Sequence, residues 1–165
     1  MRNSVSKTIA AGALLVMAGA ADAFTRNAGF QVSATVTTNC SINAADMNFG
    51  NFDGSLDLTA TSSITVACTA GTGYDVDLST GSGSFAMRTM SQGGPEVVNY
   101  NLYTDVSHTT VWGDATGSTA VVSGIGSGIG TPDTLTVYGQ LLVSDNLAGV
   151  TAGTYTDLIT ATVTY

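Results

Sequence analysis

Apolar and polar residues alternate along several short stretches of this chain. In the stretch 30–36 the alternation places Phe30, Val32, Ala34 and Val36 on the same side. Since side chains of a strand point alternately to its two faces, this spacing predicts a strand with one apolar face. The same alternation recurs in five later stretches, namely 63–68, 74–78, 98–102, 135–138 and 155–165.

Glycine-rich segments separate these predicted strands, and no window after residue 23 keeps a helical repeat of apolar residues. The segments 71–73 and 81–83 have the composition of tight turns. The run 124–130 is also glycine-rich but lacks the Lys-Ser/Thr ending of a phosphate-binding loop, so we interpret it as a flexible connection. Many short strands joined by turns predict an all-β chain of the sandwich or barrel class.

The first 23 residues have a different character. Arg2 and Lys7 precede an apolar run, and the small-residue pattern Ala-Asp-Ala follows at 21–23. This order predicts a secretory signal peptide, 1–23, cleaved before Phe24. A membrane-spanning helix would need about 20 apolar residues, and this run is shorter and interrupted by glycine. We therefore expect an exported protein that is not inserted in a membrane.

The charge balance becomes more acidic once this segment is set aside. Arg26 and Arg88 are then the only basic residues against eleven acidic ones, a net charge of 2 − 11 = −9. Such a surface repels phosphate backbones, which excludes nucleic acid as a partner. The 44% of hydrophobic residues argues against an acidic disordered chain.

Two cysteines, Cys40 and Cys68, are the only ones in the chain. An even number in an oxidising compartment predicts one disulfide bond. A bond closing this loop would stabilise the fold by roughly 3–4 kcal/mol in the chain-entropy model. A metal site would need further ligands, but His108 is the only histidine and has no clustered partner in the sequence. We expect neither a metal nor another cofactor.

No residues form a convincing catalytic pattern. His108 lies in a polar stretch that we interpret as a surface turn, whereas hydrolysis needs a base placed beside a nucleophile. Asp75 and Asp77 share one face of a predicted strand, but Val76 between them fits the core, which leaves both carboxylates in solvent. Trp112 and the tyrosines are interpreted as core or cross-strand residues rather than a sugar-binding platform. We therefore expect no enzyme activity.

The most regular predicted strand, 30–36, precedes the first cysteine and follows the short segment 24–29. It could be an ordinary first strand of its own domain. It could also be a detachable strand that completes a sheet in another molecule by β-strand addition. The alternation alone leaves both interpretations open.

The chain after residue 23 resembles the spore coat protein U domain family, which includes pilins of archaic chaperone–usher systems. The segments that carry the resemblance span nearly all of this part, and none of them is catalytic. They are FQVSATVTTNC (30–40), FGNFDG (49–54), ITVACTAG (64–71), RTM (88–90), YNLYTD (100–105), VWGD (111–114), LTVYGQL (135–141) and AGTYTDLITATVTY (152–165).

The resemblance implies an incomplete immunoglobulin-like β-sandwich that lacks its final strand and is completed by donor-strand exchange. A periplasmic chaperone would lend a strand during transport to the outer-membrane usher, and the N-terminal strand of an identical or related subunit would then replace it. This favours 24–37 as a donor segment and 38–165 as the sandwich domain. The side chains that would fill the acceptor groove are Phe30, Val32, Ala34 and Val36.

The function implied by the resemblance is that of a pilin, a structural subunit exported through the periplasm into a homopolymeric surface fibre that supports adhesion or biofilm formation. The alternatives are a spore or cell coat protein and a surface-binding adhesin module. A tip adhesin generally carries an additional receptor-binding domain, for which we expect no room in 24–165.

Overall fold

Two antiparallel sheets face each other in the computed structural model, which describes residues 23–147 and 150–165. Within these ranges the only helical element is a 3₁₀ turn at Ser144–Asn146. The predicted all-β class is therefore confirmed, whereas the predicted signal peptide lies outside the described residues apart from Ala23. The strands are β1 Cys40–Ala44, β2 Leu58–Cys68, β3 Gly73–Leu78, β4 Arg88–Ser91, β5 Val97–Tyr103, β6 Val122–Ile125, β7 Asp133–Leu141 and β8 Ala161–Thr164.

The larger sheet has five strands in the order β1-β2-β7-β5-β4, and the smaller has three in the order β6-β3-β8. The β2–β7 pair is the longest and runs from Leu58 opposite Leu141 to Val66 opposite Asp133. Because successive side chains of a strand point to opposite faces, every second residue faces the other sheet. The buried apolar side chains are Ile64, Val66, Cys68, Tyr74, Val76, Leu78, Val98, Tyr100, Leu102, Trp112, Val137 and Leu141.

A loop segment, 47–54, covers part of the inner face of the larger sheet. Gly139 of β7 makes this possible, since a Cβ atom there would lie 2.8 Å from the Phe49 ring and still closer to Met47. The Phe49 ring packs edge-on against Tyr100, with 5.9 Å between ring centroids. Glycine at this point of β7 therefore allows two large side chains to contact the sheet.

Four of the predicted strands lie within β2, β3, β5 and β7, and three others were not predicted. The missed strands are the short β1, β4 and β6. Part of β6 falls in the run 124–130, where the predicted flexible connection is corrected to a strand at Gly124 and Ile125. In the stretch 155–165 only Ala161–Thr164 forms a strand, and Thr156 makes a single bridge to Ser91 of β4.

Residues 30–36 form no strand in the isolated chain, although their alternation predicts one. A strand forms only when its backbone is hydrogen-bonded to a neighbouring strand. A stretch whose apolar and polar residues alternate can therefore remain without strand structure when it has no strand to pair with. The chain divides into two units, Met1–Thr35 and Val36–Tyr165. In the described part of the first unit, 23–35, every residue is exposed. No helix in the described part of the chain is long and apolar enough to cross a membrane.

Candidate functional site

The edge strands β1 and β8 define the candidate site. Within the described residues β1 pairs only with β2, and β8 pairs only with β3. Each edge carries half-buried apolar side chains, Ile42 on β1 and Ala161 and Val163 on β8. We call the region between the two edges the β1–β8 seam. Among the residues that the structure describes, neither edge has a second strand partner, and the apolar side chains next to it are only partly covered.

The segment before β8 crosses from one sheet to the other. Thr156 pairs with Ser91 on the larger sheet, and five residues later Ala161 pairs with Leu78 on the smaller one. At the crossing Ile159 packs against the core, whereas Leu158 is 83% exposed. The crossing therefore extends the apolar surface of the seam beyond β8.

Asp157 fixes this crossing by hydrogen bonds to two distant parts of the chain. Its Oδ1 accepts from the backbone N–H and the hydroxyl of Ser82 at 3.0 and 2.9 Å, and its Oδ2 accepts from the Tyr100 hydroxyl at 2.7 Å. Beyond it, Thr160 N donates to Ser79 Oγ at 2.9 Å, and Ser79 N donates to the Thr160 carbonyl at 2.9 Å. Hydrogen bonds thus connect the segment that precedes β8 to both sheets.

Arg88, at the start of β4, is fully buried beneath this crossing network. Its Nε and Nη2 donate to the Ser79 carbonyl at 3.1 and 2.9 Å, and Nη2 also donates to the Trp112 carbonyl at 2.7 Å. Nη1 donates to Asn101 Oδ1 at 2.6 Å, and the guanidinium carbon lies 5.4 Å from the centre of the Phe85 ring. The arginine therefore joins the Ser79 turn to β5 and to the Trp112 segment.

Burial shifts the pKa values of the groups in this network. Desolvation lowers the pKa of Arg88 from its usual value, opposed by the attraction of Tyr100 and Asp157. Desolvation also raises the pKa of Tyr100 well above its usual value, and its hydrogen bond to Asp157 adds to the rise. Both shifts have the physical cause expected for ionisable groups in a core.

The burial of Arg88 is not predicted by the sequence. The one indication in the sequence is that Arg88 lies two residues before Met90. Residues two apart on a strand share a face, so Arg88 lies on the same face as Met90, which packs against the core. A charged residue at such a position is ordinarily read as exposed, because a buried charge needs hydrogen-bond acceptors that only the folded chain can bring together.

A cavity of about 810 Å³ lies at the end of the sandwich that the smaller sheet leaves uncovered. The segments 47–54 and 150–155 form its walls, and Met90, Val98 and Leu141 of the larger sheet form its floor. Asp53 is the only charged residue among the described residues that line it. Within the described residues there is also no group of three or more acidic, histidine or cysteine side chains able to hold a metal ion.

The predicted disulfide is present and joins Cys40 to Cys68 across the β1–β2 pair, where the two residues face each other in register. It fixes the start of β1, which has no partner on its other side in the described structure.

The predicted donor side chains are highly exposed, with Phe30 at 88% and Val32 and Val36 each at 82%, and Ala34 is exposed as well. Their predicted role in filling a groove remains a prediction.

The other candidates from the sequence lie apart from one another. Trp112, Tyr74 and Tyr100 are buried in the core, so they form no exposed aromatic platform. Asp75 is exposed beside the buried Val76. His108 lies in a turn at a positive φ of 54°, with its ring edge-on to Tyr103.

Comparison with protein families gives a match to the Spore Coat Protein U domain over residues 26–162. The chain belongs to this family. Protein U of Myxococcus xanthus is 31% identical over 176 aligned residues, which cover 95% of this chain and 94% of that protein. The resemblance noted from the sequence segments is therefore confirmed over almost the whole chain after residue 23.

Among solved structures, the chain is similar to one in the CsuC–CsuE chaperone–tip adhesion subunit pre-assembly complex from the archaic chaperone–usher Csu pili of Acinetobacter baumannii. The TM-score is 0.57 at 28% identity, over 79% of this chain. The match spans only 41% of the length of that solved chain. The two packed sheets thus have the immunoglobulin-like architecture of a chaperone–usher pilus subunit. Members of this family are structural, and the chain is a structural protein rather than an enzyme.

Proposed function

We propose that this chain is a pilin-like subunit of a surface fibre, and that a strand from another copy completes its sandwich. The observation that carries the proposal is the β1–β8 seam, where two unpaired strand edges border half-buried apolar side chains. Support also comes from the family match and from the similarity to a subunit of a chaperone–usher pilus complex.

Residues 30–36 match the alternation of β8 together with the residues that flank it. Seven residues of strand extend roughly 23 Å at about 3.3 Å per residue. The stretch 159–165 also contains seven residues, and its inward side chains Ile159, Ala161 and Val163 alternate in the same way. A strand added beside it would place Phe30, Val32, Ala34 and Val36 against the core.

Burial of these side chains supplies the free energy of joining. Full burial of a Phe or Val side chain contributes about 1.5–3 kcal/mol, so three of them contribute on the order of 5–9 kcal/mol. New backbone hydrogen bonds along the β8 edge add roughly 0.5–1.5 kcal/mol each. Together these terms favour a linked subunit over one with an exposed edge.

The seam must open before a strand can enter it. Cα atoms of β1 and β8 come within 8 Å of each other. Neighbouring strands in a sheet are about 4.8 Å apart, so a strand placed between two others needs about 9.6 Å. Separation of β1 from β8 is therefore a step in the proposed joining of subunits.

Assembly on this proposal requires export and protection of the open edge. Residues 1–23 would direct the chain out of the cytoplasm, and a periplasmic chaperone would occupy the seam until an outer-membrane usher joins the subunit to the fibre. The chaperone is supported by the similarity to a chaperone–subunit pre-assembly complex. The fibre would lie outside the cell and support adhesion or biofilm formation.

A cell or spore coat is the second candidate, favoured by the family description and by the similarity to Protein U. Joining by donor strands would serve a coat as well as a fibre. Electron microscopy of purified surface material separates the two, since a pilus appears as thin filaments and a coat as a continuous layer.

A pair of adjacent substitutions tests the donor role. Val32→Asp places a charge among the apolar groove-filling side chains, at a cost of several kcal/mol. Ser33→Asp adds the same charge on the opposite face of the strand and serves as the matched control. We expect Val32→Asp to abolish SDS-resistant ladders of linked subunits and Ser33→Asp to preserve them. Equal ladders from both variants would refute the donor assignment.

A further inference from the structure

Four polar side chains meet beside the cavity, where the segment 150–155 lies against the connection from β4 to β5. Gln92 and Glu96 belong to that connection, and Thr151 and Tyr155 belong to the segment. Gln92 and Thr151 are 59 residues apart in the sequence, so only the fold brings them together. None of the four side chains belongs to the β1–β8 seam.

The Thr151 hydroxyl is placed beside a base. Its Oγ1 donates a hydrogen bond to Glu96 Oε2, and the backbone N–H of Thr151 donates to the same oxygen at 3.2 Å. These two hydrogen bonds lower the pKa of the Glu96 carboxyl from its usual value, so the group is ionised at neutral pH and can accept a proton. A hydroxyl that donates to a carboxylate is the arrangement from which threonine acts as a nucleophile.

The carboxamide of Gln92 is the group that this hydroxyl can reach. Its Nε2 donates to Thr151 Oγ1 at 2.8 Å, and because an amide C–N bond is about 1.33 Å long, Cδ lies no more than about 4.1 Å from Oγ1. The terminal torsion of glutamine has broad preferences, so the carboxamide can rotate to present its face to the hydroxyl. Gly153 leaves room for this group, since a Cβ atom there would overlap Gln92 Oε1.

We propose that Thr151 and Gln92 form an ester cross-link within the chain. Thr151 Oγ1 attacks Gln92 Cδ while Glu96 takes the hydroxyl proton. The new Oγ1–Cδ bond forms, the Cδ–Nε2 bond breaks, and the nitrogen leaves as ammonia with that proton. One hydroxyl and one carboxamide thus give one ester and one ammonia, with no oxidant, reductant or co-reactant. The reaction occurs once in each chain, so it is a modification and not an enzyme activity.

Tyr155 connects the base to the leaving nitrogen. Its hydroxyl lies 3.3 Å from Glu96 Oε2 and 3.2 Å from Gln92 Nε2. The nitrogen must gain a proton before it leaves, because it leaves as ammonia and not as an amide anion. The hydroxyl of Tyr155 can pass to this nitrogen the proton that Glu96 has taken from Thr151.

The two segments are held together before the reaction. Next to the four side chains, Ser91 N donates to the Thr156 carbonyl at 3.0 Å, and Thr156 N donates to the Ser91 carbonyl at 2.9 Å. Groups that the fold already holds at short distance react far faster than free ones. The cross-link would tie the segment that leads into β8 to the β4–β5 connection and would restrict the unfolded chain as a disulfide does.

The composition favours an ester over the other ways of joining two side chains. After residue 23 the chain contains no lysine, so no side-chain amine can attack a carboxamide. Both cysteines are already joined to each other. The cross-link would serve a fibre and a coat equally and does not depend on residues 30–36, so it stands or falls separately from the proposed function.

The experiment measures the intact mass of the purified full chain, compared with the mass calculated for its N-terminus and its disulfide. Thr151→Val removes the nucleophile, Thr151→Ser retains it, and Glu96→Gln removes the base. Thr154→Val is the matched control, because Thr154 is an exposed threonine of the same segment whose side chain takes part in none of the described hydrogen bonds. Chymotryptic fragments, before and after treatment with alkaline hydroxylamine, which cleaves esters, locate the bond.

We expect the natural chain and Thr154→Val to weigh one ammonia less than calculated, with Gln92 and Thr151 in one joined fragment that hydroxylamine separates. Thr151→Val should keep the full mass, Thr151→Ser should lose ammonia, and Glu96→Gln should lose it roughly 10²- to 10⁴-fold more slowly. The full calculated mass in the natural chain would overturn the proposal. An ammonia loss that persists in Thr151→Val would show that Thr151 is not the nucleophile.

Discussion

At the scale of single residues, Arg88 shows how a nearly uncharged core can contain a guanidinium group. Its donors reach the Ser79 and Trp112 carbonyls and the Asn101 side chain, so each buried oxygen gains a charge-assisted partner. Taking a charge out of water is costly, and only such a complete set of acceptors makes it tolerable. The alternation around Arg88 could not reveal this, since the acceptors come from three distant parts of the chain.

Arg88→Met should therefore destabilise the domain strongly, because it leaves buried oxygens without donors. We expect a loss of about 3 kcal/mol or more in the free energy of unfolding. Arg26→Gln, at an exposed position, should change it by less than about 0.5 kcal/mol. Urea unfolding of both variants with the disulfide intact measures the difference, and similar midpoints would contradict the structural role of Arg88.

Tyr100 makes stability depend on alkaline pH. Its pKa in the folded chain is raised above the unfolded value of about 10 by burial and by the Asp157 carboxylate. The folded state thus retains a proton that the unfolded chain releases, so stability is complete below about pH 10 and falls as the pH rises further.

Tyr100→Phe should flatten this alkaline decline. Some decline should remain, because burial also raises the pKa values of Tyr74 and Tyr103. Unfolding midpoints measured on either side of pH 10 test the prediction. An identical decline in the variant would show that Tyr100 is not the source.

At the scale of strands, parts of the long strands were predictable and the short strands were not. The predicted stretches 63–68 and 135–138 lie within β2 and β7, which pair with each other over nine residues. β4 and β6 have only four residues each, which is too short for a clear alternation. They form strands because a neighbouring strand pairs with them. The alternation of 155–165 was recognised, but it could not reveal that the chain changes sheets within it.

The disulfide connects the edge strand β1 to β2. Cys40→Ser with Cys68→Ser should lower the free energy of unfolding by roughly 3–4 kcal/mol. Because β1 pairs on one side only in the described structure, its amides should exchange with solvent before those of β2 and β7. Hydrogen exchange measured by mass spectrometry tests the order, and uniform protection across the three strands would contradict it.

At the scale of the whole molecule, the sequence was sufficient to predict the class of fold and the family. It was not sufficient to predict whether the edges of the β1–β8 seam are paired. The alternation of 30–36 predicts a strand but does not reveal which sheet the strand joins. A strand that pairs with another molecule has the same alternation as one that pairs within its own domain. The structure adds two closely spaced free edges, a crossing segment fixed by Asp157, and exposed apolar side chains in 30–36. These features give the proposed joining of subunits a specific location.

The acidic surface also has a consequence for the assembled state. Copies with a net charge of −9 after residue 23 repel one another, so we expect the proposed fibre to be held by contacts that salt does not weaken. Apolar groove filling meets that requirement. We expect linked subunits to remain intact in concentrated salt, as measured by sedimentation, and release of monomers by salt would indicate a joint dominated by charge.

Electron cryo-microscopy of purified surface material can test whether residues 30–36 act as a donor strand. We expect filaments in which residues 30–36 of one subunit lie as a strand beside β8 of the next, antiparallel to it, with Phe30 near Tyr165. Subunits that contact each other while 30–36 pairs within its own domain, or that leave the β8 edge unpaired, would contradict it.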